Sequence, residues 1–503
     1  MKKIVLIPLD ERPCNRDFLV RLFKHEELRI VLPDTLGNKK LPADLGKLTD
    51  FMLAECVDAD AMILSMDMLI YGGLIPSRLH HESKETLVQR MQILKKIRKM
   101  NPDIKIYAFQ VIMRCPDYSS SDEEPDYYED YGTLIHQIGT SIHKTRFGID
   151  DVENLNRLMS QIDRKCLDDY VARREINRYM NVETLQYIRD GVIDALVIPQ
   201  DDSSRYGYAA MDQEDIRKKI AEYGMMDKVL IYPGADEVEL TLMSRLINNM
   251  NNVKPKVYIK YASEKSRDIV PLYEGCSLSC TIKSHILSAG CQLTESYEYA
   301  DMILFITAPS DNMEEAAGQP SKRPEYYSER NLVEMLDLLK DCIANKKIVT
   351  IADNAYANGG DLEVVHLLDR NDLLMKVDGY AGWNTSANTI GTALAQAVDR
   401  KNFGVSQGHL DFLAERYIED AGYCGFVRRK VTEEKLKDLN MNYFDIRESD
   451  GEVSRIVKEE LEDFVRKEMP SIADGVTITK LQLPWRRMFE VDLEARYEQQ
   501  NDL

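Results

Sequence analysis

Short apolar runs alternate with longer amphipathic stretches over the first 260 residues of the chain. Continuous apolar runs are typical of strands that are buried on both faces of a parallel sheet, and amphipathic stretches predict the helices between them. The pattern therefore predicts an α/β fold that begins with a TIM-barrel-like parallel sheet. The runs are 3–9 (KIVLIPL), 61–65 (AMILS), 105–113 (KIYAFQVIM), 194–199 (DALVIP) and 229–232 (VLIY), and the helical stretches are 84–100, 130–145 and 150–191.

Polar or charged residues follow the end of every predicted strand in this part of the chain. Parallel strands gather their carboxyl ends on one face, so these side chains predict a single pocket lined by strand ends. They are Asp10, Glu11 and Arg12 after the first strand, Asp67 and Tyr71 after the second, Arg114 after the third, Asp201, Asp202 and Tyr206 after the fourth, and Asp236 and Glu237 after the fifth.

The segment 228–240, KVLIYPGADEVEL, carries the strongest chemical signal. An apolar run stops at Pro233-Gly234, and two adjacent carboxylates, Asp236 and Glu237, come directly before a helical pattern. A carboxylate pair at a strand end suits a reaction that divides two tasks between two acids. The alternative is helix capping, because acids at a helix start satisfy free N–H groups and the helix dipole.

A second α/β pattern begins near residue 256 and predicts a Rossmann-like unit, or the continuation of one large barrel. Its strands at 347–352 and 373–378 lead into Asn354 and into Trp383-Asn384. The flat face of Trp383 suits stacking on a sugar ring, while asparagine can bond hydroxyl groups. The remaining chain is mostly helical and ends in a predicted strand pair within 476–495. These changes predict three domains, namely 1–255, 256–400 and 401–503.

The acidic segment 119–132, SSSDEEPDYYEDYG, predicts a surface loop over the strand ends. Its many charges favour a solvated, mobile loop. Its tyrosines are also compatible with a lid or with a wall on which a sugar could stack. The sequence leaves both interpretations open.

Charge and composition exclude several classes of function. The chain has 503 residues and a net charge of −20, which disfavours nucleic acid and anionic membrane surfaces as partners. No stretch approaches the roughly 18 apolar residues of a membrane span. Nine cysteines without a disulfide framework favour the cytoplasm, and a homo-oligomer is compatible with the sequence. Dinucleotide, P-loop and esterase-elbow motifs are absent, so we expect no cofactor. The histidines form no ligand pair and Cys276 and Cys280 have no second cysteine pair, so we assign no metal ligands.

Several phrases resemble a bacterial family catalogued as domain of unknown function 4127. They occur in order over nearly the whole chain. The resemblance implies a glycoside hydrolase that acts on a small carbohydrate substrate, because relatives have been grouped with enzymes of N-acetylhexosaminides, notably β-N-acetylgalactosaminides. The phrases are PLDERPCN (8–15), YGGLIPSR (71–78), ARREIN (172–177), IPQDDSSRYG (198–207), PGADEV (233–238), ADNAYANGGD (352–361) and GYAGWNTSANTIGTALA (379–395).

The resemblance also implies roles for single residues. Retaining hydrolysis of a 2-acetamido sugar can use the acetamido oxygen of the substrate as the nucleophile. Asp236 would then orient the acetamido group, and Glu237 would be the general acid and base, kept protonated by burial and by its negative neighbour. The substrate-binding residues would be Asp10, Arg12, Asp67, Tyr71, Arg114, Asp201, Asp202, Tyr206, Asn354, Trp383 and Asn384.

Two other functions remain open from the sequence. One is an enzyme that depends on a divalent metal, because the strand-end carboxylates are hard oxygen ligands that suit Mg²⁺, Mn²⁺ or Ca²⁺. The other is a carbohydrate-binding protein without catalytic activity. The lack of an export signal disfavours a periplasmic type of receptor.

Overall fold

The computed structural model describes residues 1–499, and within them the chain forms two compact α/β units. The first unit comprises residues 1–11, 26–239 and 273–276. The second comprises residues 12–25 and 240–272, and continues from residue 277. The mixed α/β class predicted from the sequence is confirmed.

The first unit is built on a parallel sheet of six strands. Its strands are β1 (Lys2–Ile7), β2 (Leu28–Val31), β3 (Ala61–Ser65), β4 (Lys105–Phe109), β5 (Ala195–Gln200) and β6 (Val229–Pro233). The order across the sheet is β2-β1-β3-β4-β5-β6, and every neighbouring pair is parallel. Strands β1 and β3 pair through buried apolar residues, as Ile4 lies opposite Ala61 and Ile7 opposite Leu64. All six carboxyl ends therefore lie on one edge.

The first sheet is open, which corrects the barrel-like closure predicted from the sequence. Within residues 1–499, β2 and β6 pair with one neighbour each and not with one another. The apolar runs indicate strands that are buried on both faces. Such strands occur both in open sheets covered on two sides and in closed barrels, so the pattern does not distinguish the two. Closure depends on whether the last strand pairs with the first, and strand composition does not encode that pairing.

The helices of the first 250 residues follow the strands along the chain, and several of those in the first unit pack apolar side chains onto its sheet. The long helix over Arg164–Arg189 begins at Asp163, whose carboxylate accepts from the N–H of Lys165. The helices are α1 (Pro13–Arg16), α2 (Phe18–Leu22), α3 (Leu45–Glu55), α4 (Met66–Tyr71), α5 (Leu74–Leu79), α6 (Lys84–Met100), α7 (Tyr128–Arg146), α8 (Val152–Met159), α9 (Arg164–Arg189), α10 (Tyr208–Glu222) and α11 (Val238–Met250).

The second unit holds a parallel sheet of five strands and two small strand pairs. Its strands are β7 (Lys256–Tyr261), β8 (Gln292–Leu293), β9 (Met302–Ile306), β10 (Glu314–Glu315), β11 (Ile348–Ala352), β12 (Tyr356–Ala357), β13 (Gly379–Ala381), β14 (Val476–Gln482) and β15 (Asp492–Tyr497). The large sheet has the order β13-β11-β9-β7-β8, whereas β10 pairs with β12 and β14 pairs antiparallel with β15. The last pair corresponds to the strand pair expected within 476–495.

Helices of the second unit enclose an apolar core that includes Phe305, Ile351, Tyr380 and Phe464. A π-helix over Tyr417–Val427 joins two α-helices, and short 3₁₀ turns lie at Glu264–Arg267, Ala316–Gly318, Ala473–Gly475 and Pro484–Arg486. No helix within residues 1–499 is both long and apolar enough to cross a membrane. The helices are α12 (Leu278–Ser288), α13 (Pro324–Tyr327), α14 (Leu332–Ala344), α15 (Leu362–Asp369), α16 (Ser386–Phe403), α17 (Gln407–Arg416), α18 (Arg428–Glu434) and α19 (Glu452–Glu468).

Candidate functional site

The carboxyl edge of the first sheet carries the candidate site. Asp67 follows β3 and is 2% exposed, and its Oδ2 accepts a hydrogen bond of 2.8 Å from the N–H of Val111 beyond β4. Burial raises the pKa of Asp67 to about 7, and the negative charge of Asp201 adds to this effect. Asp67 thus exchanges a proton close to neutral pH, which is a common property of residues in functional sites.

Two buried guanidinium groups organise the same edge. Arg78 donates to Asp201 Oδ2 at 2.7 Å, and Arg114 donates to Asp202 Oδ2 at 3.0 Å. Both arginines also bind Glu124, whose Oε1 lies 3.3 Å from Arg78 Nη1 and 2.8 Å from Arg114 Nε. The predicted residues Arg114, Asp201 and Asp202 are therefore brought together in one network of ion pairs.

The acidic segment 119–132 closes this network and is not simply a solvated loop. Glu123 Oε2 accepts from Arg78 at 2.9 Å and lies 3.0 Å from Arg114 Nη2, while Glu124 is only 1% exposed. Since Arg114 follows β4, the segment lies over the strand ends, as the sequence predicted. Paired guanidinium and carboxylate groups fix its position there.

Asp202 is the second acid at this edge whose pKa is raised to near neutrality. Burial and the charge of Asp201 raise the pKa of Asp202 to about 7, whereas the guanidinium groups of Arg114 and Arg78 act in the opposite direction. Asp67 and Asp202 consequently give this edge two proton-exchanging carboxyl groups beside two fixed positive charges.

Helix α9 supports the network through the phrase ARREIN. Arg174 donates to the backbone oxygens of Arg114 and Met113, both at 2.8 Å, and its charge is balanced by Asp212 at 2.6 Å. Asn177 donates to the oxygen of Ser77, beside Arg78, at 2.8 Å. These bonds hold the backbone that carries Arg78 and Arg114 and explain the buried charges of the helix.

The segment after β6 delivers the predicted catalytic pair. Gly234 adopts φ +147°, and the carboxyl group of Glu237 folds back over it, so a Cβ atom at this position would lie 2.1 Å from Glu237 Oε1. Glu237 Oε2 accepts from the N–H of Ala235 at 3.0 Å. Asp236 is 5% exposed and Glu237 is 0% exposed. Glycine is required here because the carboxylate occupies the space of a side chain.

A third buried acid, Glu239, completes this segment. Its Oε1 accepts a hydrogen bond of 2.8 Å from the N–H of Leu9, the residue before Asp10. Burial raises the pKa of Glu239 well above its ordinary value, and the charges of Asp236 and Asp10 add to the increase. Asp10, 2% exposed, and Asp236 are therefore gathered around Glu239, although the sequence assigned them to separate strand ends.

The two predicted tyrosines of this unit have different surroundings. Tyr71 is 4% exposed and packs against His80 with a ring separation of 4.7 Å, and its hydroxyl accepts or donates no hydrogen bond within residues 1–499. Tyr206 contacts His143 of α7 at 5.5 Å and lies under Lys144 at 5.7 Å. Burial raises the pKa of Tyr71 well above its ordinary value, and the charge of Asp67 adds to this effect. Tyr206 instead contacts α7.

Four predicted residues lie in the second unit, and Trp383 is the best defined of them. Its Nε1 donates to the hydroxyl of Thr392 at 3.1 Å, and its ring meets Phe18 edge-on at 5.6 Å. With 7% exposure, Trp383 has the surroundings of a packed core side chain. The open stacking face expected from the sequence is not evident within this unit.

Asn354 and Asn384 hold the loops that follow β11 and β13. Asn354 donates to the oxygen of Ser386 at 3.3 Å, while its own Oδ1 is buried without a hydrogen bond in residues 1–499. Asn384 has φ +52°, and its backbone oxygen accepts from the N–H of Asn358 at 2.8 Å. Both residues therefore help to shape the carboxyl edge of the second sheet.

Arg12, the remaining predicted residue, lies beside the second tryptophan of the chain. Its guanidinium is 5.0 Å from the ring centre of Trp485, and Arg487 lies 4.5 Å from the same ring. Glu490 Oε1 is 3.5 Å from Arg12 and accepts from Arg487. Arg12 is thus part of a stack of aromatic and guanidinium groups.

The segments ADNAYANGGD (352–361) and GYAGWNTSANTIGTALA (379–395) pack closely against each other in the second unit. A Cβ atom on Gly360 would lie 2.1 Å from the hydroxyl of Tyr380, so only glycine fits. That hydroxyl donates to Asp353 Oδ2 at 2.7 Å, and Thr307 donates to Asp353 Oδ1 at 2.6 Å. Burial raises the pKa of Asp353 to about 6, with the charge of Asp361 adding to the effect. Both carboxylate oxygens of Asp353 therefore accept hydrogen bonds from protein groups.

Sequence reasoning missed Arg78, Glu124 and Glu239 as members of the site. Arg78 closes the phrase YGGLIPSR after β3 but was not among the chosen candidates. Glu124 reaches the edge through a loop, so periodicity gave no signal for it. Glu239 occupies the second position of α11, where an acid is typical of helix capping. The signal available was its place two residues after Glu237 in the phrase ADEVE.

Within residues 1–499, no three His, Cys, Asp or Glu side chains form a group that could hold a metal ion.

The first unit is an open parallel sheet with a carboxylate-rich edge, an architecture in which α/β proteins commonly bind ligands at the strand ends. The family described as "Protein of unknown function (DUF4127)" matches residues 4–494, so the chain belongs to this family. No curated protein matches the chain. No solved structure matches it either.

Proposed function

We propose that the protein is a glycoside hydrolase that cleaves 2-acetamido-2-deoxy-glycosides by a retaining, substrate-assisted mechanism. The observation that carries the proposal is the segment after β6, where Asp236 and Glu237 are adjacent, buried and placed on the carboxyl edge by Gly234. Glu237 also accepts a hydrogen bond from the N–H of Ala235, and acid–base catalysis requires such a fixed orientation of the acid.

The roles of the two acids follow from the chemistry of the substrate. Glu237 donates a proton to the leaving oxygen while the acetamido oxygen of the sugar attacks the anomeric carbon. Asp236 accepts a hydrogen bond from the acetamido N–H and stabilises the positive charge of the oxazolinium-like intermediate. Water, deprotonated by Glu237, then opens this intermediate and restores the starting configuration.

The network of Arg78, Arg114, Asp201 and Asp202 supports the same proposal because its groups suit sugar hydroxyls. Paired carboxylates and guanidinium groups present both acceptors and donors in fixed directions. Asp67 and Asp202, whose pKa values are raised to about 7, can each accept or donate a hydrogen bond near neutral pH.

The test is release of p-nitrophenol from a panel of p-nitrophenyl glycosides, with and without EDTA. Wild type is compared with Asp236→Asn, Glu237→Gln and the matched control Glu153→Gln, an exposed acid of α8. We expect cleavage of 2-acetamido glycosides that resists the chelator, is unchanged in the control and falls at least ~100-fold in both site variants.

Substrate assistance has its own test in the same assay. The glycoside that carries a hydroxyl in place of the acetamido group should not be cleaved, and the first product detected by NMR should retain its anomeric configuration. Cleavage that is lost in EDTA would instead indicate a metal enzyme. Sugar binding without turnover across the panel would indicate a carbohydrate-binding protein.

A further inference from the structure

Glu239 lies in an environment that is hostile to a negative charge. The residue is 1% exposed, and within residues 1–499 the only hydrogen bond between its carboxyl group and another residue is the one from the N–H of Leu9 to Oε1. In the same part of the chain, the second oxygen, Oε2, is buried and accepts no hydrogen bond. An ionised carboxylate in such a position would be strongly destabilised.

The charged side chains that act most strongly on Glu239 are acids. Asp236 lies three residues earlier and Asp10 follows Leu9, and both act on Glu239 with negative charge. Glu237 stands two residues before it on the same segment. The backbone N–H groups of Leu9 and Glu239 favour the ionised form, but they do not outweigh burial. Ionisation of Glu239 would therefore add one more negative charge to a group of acids.

The hydrogen bond to Leu9 also joins two distant parts of the carboxyl edge. Three strands, β3, β4 and β5, lie between β1 and β6 in the sheet. Leu9 follows β1, whereas Glu239 follows β6, so the segments that leave these two strands approach each other. One hydrogen bond joins them and fixes the backbone next to Asp10.

We propose that Glu239 is a neutral positioning residue, whose carboxylic acid holds the Leu9–Asp10 segment beside Asp236 and Glu237 without adding a charge to them. The bond from Leu9 requires an oxygen acceptor, which a protonated acid retains. The effect on catalysis rests on the function proposed above. The protonation state and the bond to Leu9 do not depend on it.

Two variants separate the acceptor from the charge. Glu239→Gln keeps an oxygen acceptor and is always neutral, so it should preserve the melting temperature and the slow hydrogen exchange of the Leu9 amide. Glu239→Met has a similar size without the acceptor, so it should lower the melting temperature and expose the Leu9 amide to fast exchange. If glutamine preserves both properties and methionine does not, position 239 requires a hydrogen-bond acceptor and not a negative charge.

Infrared difference spectroscopy tests the protonation state without turnover. The wild type minus Glu239→Gln spectrum at pH 7 should contain the carbonyl stretch of a protonated carboxylic acid. A difference spectrum with a carboxylate stretch in its place would overturn the proposal, as would a Glu239→Gln protein that exchanges the Leu9 amide as fast as Glu239→Met.

The catalytic consequence is measured as a pH profile on the cleaved glycoside. Wild-type kcat/KM should fall at high pH where Glu239 ionises, and Glu239→Gln should remove that fall while it retains the activity at pH 7. Glu239→Met should lose at least tenfold in kcat. An unchanged profile in Glu239→Gln would overturn the catalytic part. Absence of any glycosidase activity would defeat the proposed function and leave the infrared and exchange results to decide on Glu239.

Discussion

Arg114 donates a hydrogen bond of 2.8 Å from Nε to Glu124 Oε1, and both side chains are almost completely buried. The pair connects the end of β4 to the acidic segment 119–132. Breaking a buried ion pair from one side leaves an uncompensated charge, which costs more than the pair itself contributes. The position of the segment over the carboxyl edge therefore depends on this pair.

Replacement of Glu124 tests this dependence. We expect Glu124→Ala to lower the free energy of unfolding by about 3 kcal/mol, because Arg114 and Arg78 would both lose a buried partner. Urea denaturation at pH 7 measures the change. Limited proteolysis should show earlier cleavage within 119–132.

Asp126, in the same segment, provides the control because its side chain is fully exposed. Asp126→Ala should leave the unfolding midpoint and the proteolysis pattern unchanged, since exposed ion pairs contribute little. Equal effects of the two variants would show that the buried pair does not hold the segment.

The raised pKa of Asp67 predicts that a neutral residue at this position increases the stability of the protein at high pH. Its folded-state pKa is about 7, above its ordinary value of 3.8, so the folded state binds a proton more tightly than the unfolded state. The contribution to stability is complete below about pH 4 and is lost as the pH rises through 7. Asp67→Asn should therefore stabilise the protein at pH 8 by on the order of 2–4 kcal/mol and have little effect at pH 4.

Denaturation in urea at both pH values checks this prediction. The amide oxygen introduced by Asp67→Asn can still accept the bond from Val111, so the comparison isolates the charge. The exposed Asp103→Asn is the matched control and should show no difference between the two pH values. A stability loss in Asp67→Asn at pH 8 would mean that ionised Asp67 is favoured in the fold.

The candidate site shows which relationships the sequence could reveal. Asp67, Arg114, Asp201 and Asp202 were predicted to meet because parallel strands place their carboxyl ends on one edge, and the strands that precede them pair in parallel. That argument needs only strand direction and local residue order. It does not reach residues such as Glu124, which arrives at the edge through a loop.

Other features depend on contacts that periodicity does not encode. The open sheet differs from a closed one only in whether β2 meets β6. Trp383 resembles a ligand platform in the sequence because glycine and asparagine surround it, yet its ring packs on Phe18, far away in the chain. Glu239 resembles a helix cap, and only its burial and its bond to Leu9 give it another role.

The packing of Trp383 predicts that its substitution lowers the stability of the protein. Trp383→Phe loses the hydrogen bond to Thr392 and part of the contact with Phe18, so the free energy of unfolding should fall by about 2–3 kcal/mol. The KM for a cleaved glycoside should change less than twofold. Thr392→Val, which removes only the acceptor, should lower stability by about 1 kcal/mol. A large rise in KM without a stability loss would restore Trp383 as a sugar-binding residue.

Gly234 offers the sharpest test of the carboxylate segment, because a single methyl group would collide with Glu237. In Gly234→Ala the new Cβ atom would lie 2.1 Å from Glu237 Oε1, and the backbone has φ +147°, which alanine rarely adopts. Glu237 must therefore leave its place and lose the bond from Ala235.

Gly224→Ala is the matched control, since Gly224 also has a positive φ, of +65°, but its Cβ would meet no atom within 4 Å. The control should lower the free energy of unfolding by about 1–2 kcal/mol through backbone strain alone. Gly234→Ala should lower it further and reduce kcat/KM on the cleaved glycoside by at least ~100-fold, the loss that we also expect for Glu237→Gln. Urea denaturation and the p-nitrophenyl assay measure the two effects separately. If Gly234→Ala were folded and fully active, the orientation of Glu237 over Gly234 would have no part in catalysis.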